Sequence, residues 1–285
     1  MKKLLFQFDT DHFPSTFDTV VAYDGGADQV ISHGGLTAKN VSSLVEGTIF
    51  TRPPKQKRFT AIFIGGSDLT EGERVLSAVT QQFFGDFRVS VMLDASGCNT
   101  TAAAAVARLA ASRSLAGKKA VILAGTGPVG QRAAAMLAKE GAEVAITSRQ
   151  VGRARQVCES LGQRFGVTIR WIEAADIETR AAAIAGAHVV FAAGAAGIRL
   201  LDLEHWQNHP TLELLADANA TPPLGIGGTE MMDRGTLRHG KAVWGAIGFG
   251  PLKLALHRAC IARLFEQNDL ILDAEEIYAA AKRMA

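Results

Sequence analysis

The stretch that decides the fold is KKAVILAGTGPVGQRAAAMLAKE, residues 118–140. Its apolar run 120–124 predicts a buried strand, its glycines predict a tight turn, and an alanine-rich helix follows to about Glu140. The turn has the spacing GxGxxG in the strand–turn–helix context of a dinucleotide-binding βαβ unit. We therefore expect the turn to bind the pyrophosphate of a dinucleotide through Gly125, Thr126, Gly127, Pro128, Val129 and Gly130.

The three glycines of this turn have separate expected roles. Gly125 permits the sharp turn, Gly127 lets a phosphate approach the bare backbone, and Gly130 lets the helix pack close to the strand. The N-terminus of the helix adds free N–H groups and the positive end of its dipole. The alternative is a glycine-rich turn in an α/β domain that binds no ligand.

The next predicted strand addresses the choice between NAD and NADP. It ends in ITSR, residues 146–149, without the carboxylate that usually accepts from the ribose hydroxyls of NAD. Ser148 can donate to a 2′-phosphate, and Arg149 and Arg153 can bind it as cations. The sequence therefore predicts NADP as the cofactor.

Short apolar runs alternate with helical patterns along the chain, which predicts βαβ units and parallel sheets. The strands are predicted at residues 4–8, 61–64, 89–93, 120–124, 144–147, 188–193 and 212–216. Further helices are predicted at residues 69–84, 100–111, 151–165 and 274–284. Ala193 and Gly194 end the strand 188–193 in a small-residue turn, which we expect beside the cofactor because a larger side chain would clash there.

Length and composition restrict the class of protein. At about 150 residues per domain, 285 residues suggest two domains or one large one. The net charge of +2 gives no electrostatic argument for a nucleic-acid or membrane partner. No apolar run approaches the roughly 18 residues of a membrane span, so a cytoplasmic enzyme is expected. The three cysteines form no CxxC motif, which predicts neither a disulfide framework nor a zinc site.

Motifs for several kinds of catalysis are missing. The chain has no HExxH, and His205 and His209 form an HxxxH pair without an obvious third zinc ligand nearby. Neither Tyr23 nor Tyr278 stands in a Tyr-xxx-Lys arrangement, which disfavours a short-chain alcohol dehydrogenase. We therefore expect no metal and no obvious general base.

Six segments together resemble the NADP-dependent methylene-tetrahydromethanopterin / methylene-tetrahydrofolate dehydrogenases of methylotrophic bacteria. They are LLFQFDTD (4–11), YDGGAD (23–28), LAGTGPVG (123–130), PPLGIGG (222–228), LHRACIA (256–262) and DAEEIY (273–278). The resemblance implies hydride transfer from the methylene carbon of the pterin to NADP, in one-carbon metabolism. It also implies a homo-oligomer, with a trimer as the expected form.

The same resemblance implies two α/β domains. A Rossmann-type parallel sheet domain binds NADP at residues 113–250, and a second α/β domain, formed by residues 1–112 and the C-terminal helices at 251–285, binds the pterin. The basic loop SRSLAGKK (112–119) marks the first junction. By resemblance, Lys253 matches a lysine near the active site and is a catalytic candidate.

Two polar segments follow predicted strands. Asp217 is a second catalytic candidate, since a carboxylate there can stabilise the cation that forms, and Asn219 is a candidate for binding the cofactor. The alternative for both is a turn or helix cap. Asn99, Thr100 and Thr101 are candidates for binding the substrate, or else cap the alanine-rich helix.

Two rival functions stay open. A shikimate-dehydrogenase-like NADP enzyme would share the glycine turn and the Ser-Arg strand end, but it requires a catalytic Lys–Asp pair that the Lys55/Lys57 loop does not resemble. A non-catalytic NADP-sensing protein would bind NADP without oxidising any pterin. The sequence does not choose between tetrahydromethanopterin and tetrahydrofolate, nor does it give the physiological direction.

Overall fold

The computed structural model describes all of residues 1–285. Its strands are β1 (Leu4–Asp9), β2 (Gln29–His33), β3 (Thr60–Gly65), β4 (Ser90–Leu93), β5 (Lys119–Leu123), β6 (Glu143–Ser148), β7 (Ile169–Glu173), β8 (Val189–Ala192), β9 (Leu214–Asp217), β10 (Arg234–Arg238), β11 (Lys241–Gly245) and β12 (Ile271–Leu272). Its helices are α1 (Thr16–Asp24), α2 (Ser42–Phe50), α3 (Leu69–Thr80), α4 (Cys98–Ser112), α5 (Pro128–Lys139), α6 (Val151–Phe165), α7 (Ile177–Ala183), α8 (Ala246–Arg263) and α9 (Ala274–Met284). None of the helices combines the length and the apolar character needed to cross a bilayer.

The chain divides into two compact units. The first comprises Met1–Thr100 and Leu254–Met284, and the second comprises Thr101–Lys253 with the terminal Ala285. The units part inside α4 and α8, whereas the sequence places the junctions after residues 112 and 250. The difference arises because both helices continue through the division, so no change in composition marks it. The assignment of a ligand to each unit stays a prediction.

The sheet of the second unit has seven strands in the order β10-β11-β9-β8-β5-β6-β7. Its strands are parallel except for the β10–β11 hairpin. The chain passes from β5 to β6 on one side and returns to β8 on the other side of β5. Ligands of open α/β sheets bind outside the carboxyl ends of the strands at such a switch point.

The sheet of the first unit has five parallel strands in the order β12-β4-β3-β1-β2. Here the order reverses between β1 and β3, which gives this unit a switch point of its own. The core strands are apolar and buried, and β3 has no exposed residue. The two sheets confirm the predicted fold class of two α/β domains, one of them of the Rossmann type.

The turn between β5 and α5 depends on close backbone packing. A Cβ atom built on Gly125 would lie 2.7 Å from the Cβ of Ile146 on β6. One built on Gly130 would lie 2.7 Å from the Cα and 2.8 Å from the carbonyl oxygen of Gly125. The first turn of α5 therefore packs directly on the residues that follow β5, which is the close packing predicted for Gly130.

This packing gives a stability prediction. Gly130→Ala forces backbone atoms apart, so we expect it to lower the free energy of unfolding by about 1–3 kcal/mol, the usual range for overpacking. Gly152→Ala is the matched control, since a Cβ on this helical glycine meets no atom within 4 Å. Chemical denaturation measures both variants. A Gly130→Ala protein as stable as the wild type would contradict the close approach.

Candidate functional site

The N-terminus of α5 is open to an anion. Gly127 is the N-cap residue and supplies no side-chain cap, while Pro128 occupies the first helical position. The other N–H groups of a first helical turn have no acceptor within the helix. A Cβ on Gly127 would meet nothing nearer than the carbonyl oxygen of Ala193 at 3.9 Å, so a phosphate has room against the backbone here.

A cavity of about 490 Å³ lies beside this turn, at the carboxyl ends of β5, β6 and β8. This is the size range of small-molecule and cofactor sites. The structure places these predicted cofactor residues in its lining: Thr126, Gly127, Ser148, Arg149, Arg153, Ala193 and Gly194. The lining also includes residues that the sequence does not predict: Ala124, Thr147, Gln150, Ala174, Arg180, Ala195, Ile198 and Leu200.

The predicted residues outside the lining shape the turn. Gly125 and Gly130 form its close backbone contact, and Pro128 and Val129 begin α5. The side chain of Gln131 donates to the carbonyl of Thr126 at 2.9 Å and so holds the turn from within the helix. These residues support the glycine turn and do not form the surface of the cavity.

The cavity is basic. Its lining contains three arginines, Arg149, Arg153 and Arg180, and no carboxylate. Arg149 and Arg153 are exposed. The hydroxyl of Ser148 is already engaged, because it donates to the carbonyl of Gln150 at 3.2 Å and accepts from the N–H of Gln150 at 3.0 Å. Arg149 and Arg153 are therefore better placed than Ser148 to meet a mobile anion.

The far wall of the cavity is the turn after β8. The carbonyl of Ala193 faces the Gly127 turn across the switch point. A Cβ on Gly194 would lie 2.8 Å from the side chain of Leu200, so a larger residue would displace this wall. The small residues predicted to lie near a cofactor therefore also serve strand-to-loop packing.

Asp217 ends β9 and organises the loop that follows. Its carboxylate is buried and accepts from the N–H groups of Asn219 at 3.0 Å and Ile226 at 2.8 Å. Burial raises the pKa of the Asp217 carboxyl, while these backbone N–H groups, that of Gly225 and the Arg199 guanidinium act in the opposite direction. Both carboxylate oxygens accept hydrogen bonds from backbone N–H groups, which favours a role in positioning the loop. The catalytic role of Asp217 stays a prediction.

Asn219 has a similar place. Its side chain donates to the carbonyl of Pro223 at 3.1 Å and accepts from the N–H of Thr221 at 2.8 Å. The side chain is buried and does not line the cavity. From the other side of the loop, Arg199 donates to the carbonyl of Leu224 at 2.7 Å. Asp217, Asn219 and Arg199 together fix the segment PPLGIGG.

The candidates of the first unit lie in a buried network at the end of β4. Thr100 donates through its hydroxyl to Asp94 at 2.6 Å, and the Asp94 carboxylate also accepts the N–H groups of Asn99 and Thr100. The Asn99 amide donates to Leu93 and to Asp273. Asn99 and Thr100 have no exposed surface, so this geometry favours capping, and substrate contact stays a prediction.

The remaining candidates are more accessible. Thr101 is half-buried in the first turns of α4, and Lys253 is half-buried on α8, two residues after Pro251. His205 lies beside Glu178 at 3.5 Å, whereas the Nε2 atom of His209 faces the carbonyl of Ile184. No group of three or more His, Cys, Asp or Glu side chains is arranged to hold a metal ion.

The Asp217 geometry generates a prediction. In Asp217→Asn, one N–H acceptor is replaced by an amide donor, so we expect the free energy of unfolding to fall by about 1–3 kcal/mol. Asp202→Asn is the control, since this half-buried carboxylate lies 3.4 Å from the Arg199 guanidinium in the same region and is not fully enclosed as Asp217 is. Thermal and chemical unfolding give the comparison. An Asp217→Asn variant of wild-type stability would remove the loop-holding role.

The chain is similar in sequence to two family models and to two characterised proteins. Residues 16–96 match the family model described as methylene-tetrahydromethanopterin dehydrogenase, N-terminal, and residues 106–217 match shikimate / quinate 5-dehydrogenase. The bifunctional protein MdtA of Methylorubrum extorquens is 56% identical, over 100% of this chain and 99% of that protein. The NAD(P)-dependent methylenetetrahydromethanopterin dehydrogenase of the same organism is 32% identical, over 95% of each chain.

Solved structures support the fold. The shikimate 5-dehydrogenase of Listeria monocytogenes, in complex with shikimate and NAD, matches with a TM-score of 0.58 at 12% identity, over 100% of this chain and 96% of that one. The 5-ketofructose reductase of Gluconobacter sp. matches with a TM-score of 0.55 at 14% identity, over 100% of this chain and 99% of that one. At these identities the likeness shows the fold alone. The full-length match to the two Methylorubrum proteins shows more: the chain belongs to the methylene-tetrahydromethanopterin dehydrogenase family.

Proposed function

We propose that this protein is an NADP-dependent dehydrogenase that oxidises methylene-tetrahydromethanopterin, methylene-tetrahydrofolate or both to the methenyl form. The observation that carries the proposal is a basic, carboxylate-free cavity at the glycine turn, in a chain whose whole length matches this family. The shikimate / quinate model matches residues 106–217 only. Of the two lysines in the Lys55/Lys57 loop, Lys57 is fully buried and donates to the carbonyl of Ile49, whereas Lys55 is exposed.

The proposed reaction requires little acid–base catalysis by the protein. When bound, the nicotinamide of NADP supplies a hydride acceptor at its C4 atom. The methylene carbon of the substrate bridges two nitrogens, whose lone pairs stabilise the cation left after the hydride departs. No proton moves in that step, so no general base is required. The protein must hold two rings at hydride distance and exclude water.

Residues of the second unit can bind and position the cofactor. The N–H groups of the first turn of α5 bind the pyrophosphate, and Gly127 leaves room for it. Arg149 and Arg153 bind the 2′-phosphate, which gives the preference for NADP over NAD. The loop held by Asp217 and Asn219 follows β9, a neighbour of β8 in the sheet. It therefore belongs to the carboxyl edge where the cofactor is expected.

The first unit supplies the expected pterin-binding surface. The loop after β1 lies at the switch point between β1 and β3, and Asp11 on this loop accepts from the hydroxyl of Ser67 after β3 at 2.8 Å. Phe13 is 81% exposed, and its ring packs against the edge of His12 at 4.5 Å between centroids. An exposed aromatic ring at a switch point is suited to stack on a flat heterocycle.

Two further properties are proposed on the resemblance. We expect a homo-oligomer, with a trimer as the implied form, and a location in the cytoplasm.

The proposed reaction has a direct assay. Purified protein is mixed with NADP or NAD and with methylene-tetrahydromethanopterin, methylene-tetrahydrofolate or shikimate, and the absorbance of the methenyl product and of the reduced cofactor is followed. We expect turnover with at least one methylene-pterin, faster with NADP than with NAD, and none with shikimate. Tight NADP binding without any methenyl product would instead favour the sensing protein, and turnover of shikimate would favour the rival enzyme.

Lys253 gives a second test of the proposal. A lysine ammonium that contacts the pterin forms charge-assisted hydrogen bonds, so Lys253→Ala should reduce kcat/KM for the pterin by about tenfold or more. The Kd for NADP should stay within about twofold of the wild-type value, since the lysine is assigned to the substrate. Arg258→Ala is the control, because Arg258 is an exposed cation on the same helix, paired with Asp24 at 2.7 Å. Unchanged turnover and affinity in Lys253→Ala would remove this residue from the site.

A further inference from the structure

Arg180 is a cavity residue that neither the glycine motif nor the strand-end arginines indicate. It lies on α7, which follows β7, and it is half-buried. Its guanidinium donates through one terminal nitrogen to the carbonyl of Leu200 at 3.3 Å and through the other to the carbonyl of Ala175 at 3.0 Å. The side chain is therefore held in place on the cavity wall.

The charge of Arg180 is influenced by burial and by two charged neighbours, Asp176 and Arg149. Burial lowers the pKa of the Arg180 guanidinium, and the neighbouring charge of Arg149 lowers it further, although Asp176 acts in the opposite direction. Asp176 uses its carboxylate to cap α7, accepting from the N–H and the hydroxyl of Thr179 at 2.8 and 2.7 Å. Two guanidinium groups thus influence one another beside a cavity that no carboxylate lines.

Like charges held close together and partly out of water favour the entry of an anion. A guanidinium carries five N–H donors, and the two carbonyl contacts of Arg180 use two of them. Arg149 and Arg153 are exposed and must lose side-chain freedom when they bind a ligand, whereas Arg180 is already positioned. A doubly charged phosphate monoester matches such a cluster better than a singly charged group does.

We propose that Arg180 is a further specificity-determining residue, a preorganised cation that binds the 2′-phosphate of NADP together with Arg149 and Arg153. The inference rests on the proposed function, because it assigns the cavity to the adenosine half of this cofactor. NADP carries two anionic groups, the pyrophosphate and the 2′-phosphate. Because the glycine turn binds the pyrophosphate, the 2′-phosphate is the group left for Arg149, Arg153 and Arg180. NAD lacks this group and gains nothing from the third arginine.

The test compares four variants with the wild type: Arg180→Met, Arg180→Lys, Arg149→Met and Arg155→Met. Arg155 is the control, since it is an exposed arginine on α6, paired with Glu159 at 2.9 Å and outside the lining of the cavity. Binding of NADPH and NADH is measured by nucleotide fluorescence, and binding of 2′,5′-ADP and 5′-AMP by calorimetry. Thermal unfolding shows that each variant is folded.

We expect Arg180→Met to raise the Kd for NADPH and for 2′,5′-ADP by about tenfold or more, as the loss of a charge-assisted contact does. The Kd for NADH and for 5′-AMP should stay within about twofold. Arg180→Lys keeps the charge but not the fixed fork, so its loss of NADPH affinity should be smaller. Arg149→Met should resemble Arg180→Met, and Arg155→Met should resemble the wild type.

Other results would overturn the inference. An equal loss for phosphorylated and unphosphorylated ligands would show that Arg180 holds the cavity wall or the adenine instead. Unchanged affinities would show that it binds neither. If the wild-type protein turns over a methylene-pterin with NADP while Arg180→Met keeps its NADPH affinity, the inference alone fails. If the wild-type protein does not bind NADPH more tightly than NADH, the NADP preference in the proposed function fails as well.

Discussion

The approach of α5 to the end of β5, without a side chain between them, is the constraint on which the site depends. Gly130 packs directly on Gly125, and Gly127 leaves the first turn of the helix without a side-chain cap. The backbone is therefore both the packing surface and the ligand surface at this point. Because the turn lies where the strand order reverses, the same edge of the sheet brings the ends of β6 and β8 to the cavity.

The basic character of the cavity is compatible with this use of the backbone. The pyrophosphate position is supplied by peptide groups, so the side chains near it are free to recognise the rest of the ligand. The arginines of the cavity come from three separate segments of the second unit: the end of β6, the first turn of α6, and α7. No carboxylate of the lining neutralises them. The resulting potential favours a cofactor with an additional phosphate.

The sequence predicts the glycine turn, the adjoining strands and the basic strand end because each is local and strongly patterned. Helices 151–165 and 274–284 also have the predicted bounds. The predicted helix from residue 69 ends at Thr80 instead of residue 84. β2 and β7 escaped prediction because they are edge strands whose exposed polar residues interrupt the apolar run, as in IRWIE. β12 has only two residues, β10 has no buried residue, and β11 alternates buried and half-buried residues in a short hairpin.

The missed strand β7 explains the missed arginine. Without it, α7 had no predicted place beside the cavity, and Arg180 had no signal in a motif. Polar residues at strand ends, in contrast, are easily recognised as site candidates, but their role is ambiguous from sequence. Asp217, Asn219, Asn99 and Thr100 have residue types that serve equally as ligand contacts and as caps, and only burial and hydrogen bonding separate these uses. In the structure all four are buried and engaged with the protein itself.

The most direct measurement of the central claim is a crystal structure of the protein grown with NADP. We expect pyrophosphate oxygens within hydrogen-bond distance of the backbone N–H groups in the first turn of α5, with the nicotinamide directed past Ala193. A complex in which the nucleotide lies elsewhere, while the Gly125–Gly130 turn contacts only the protein, would contradict it.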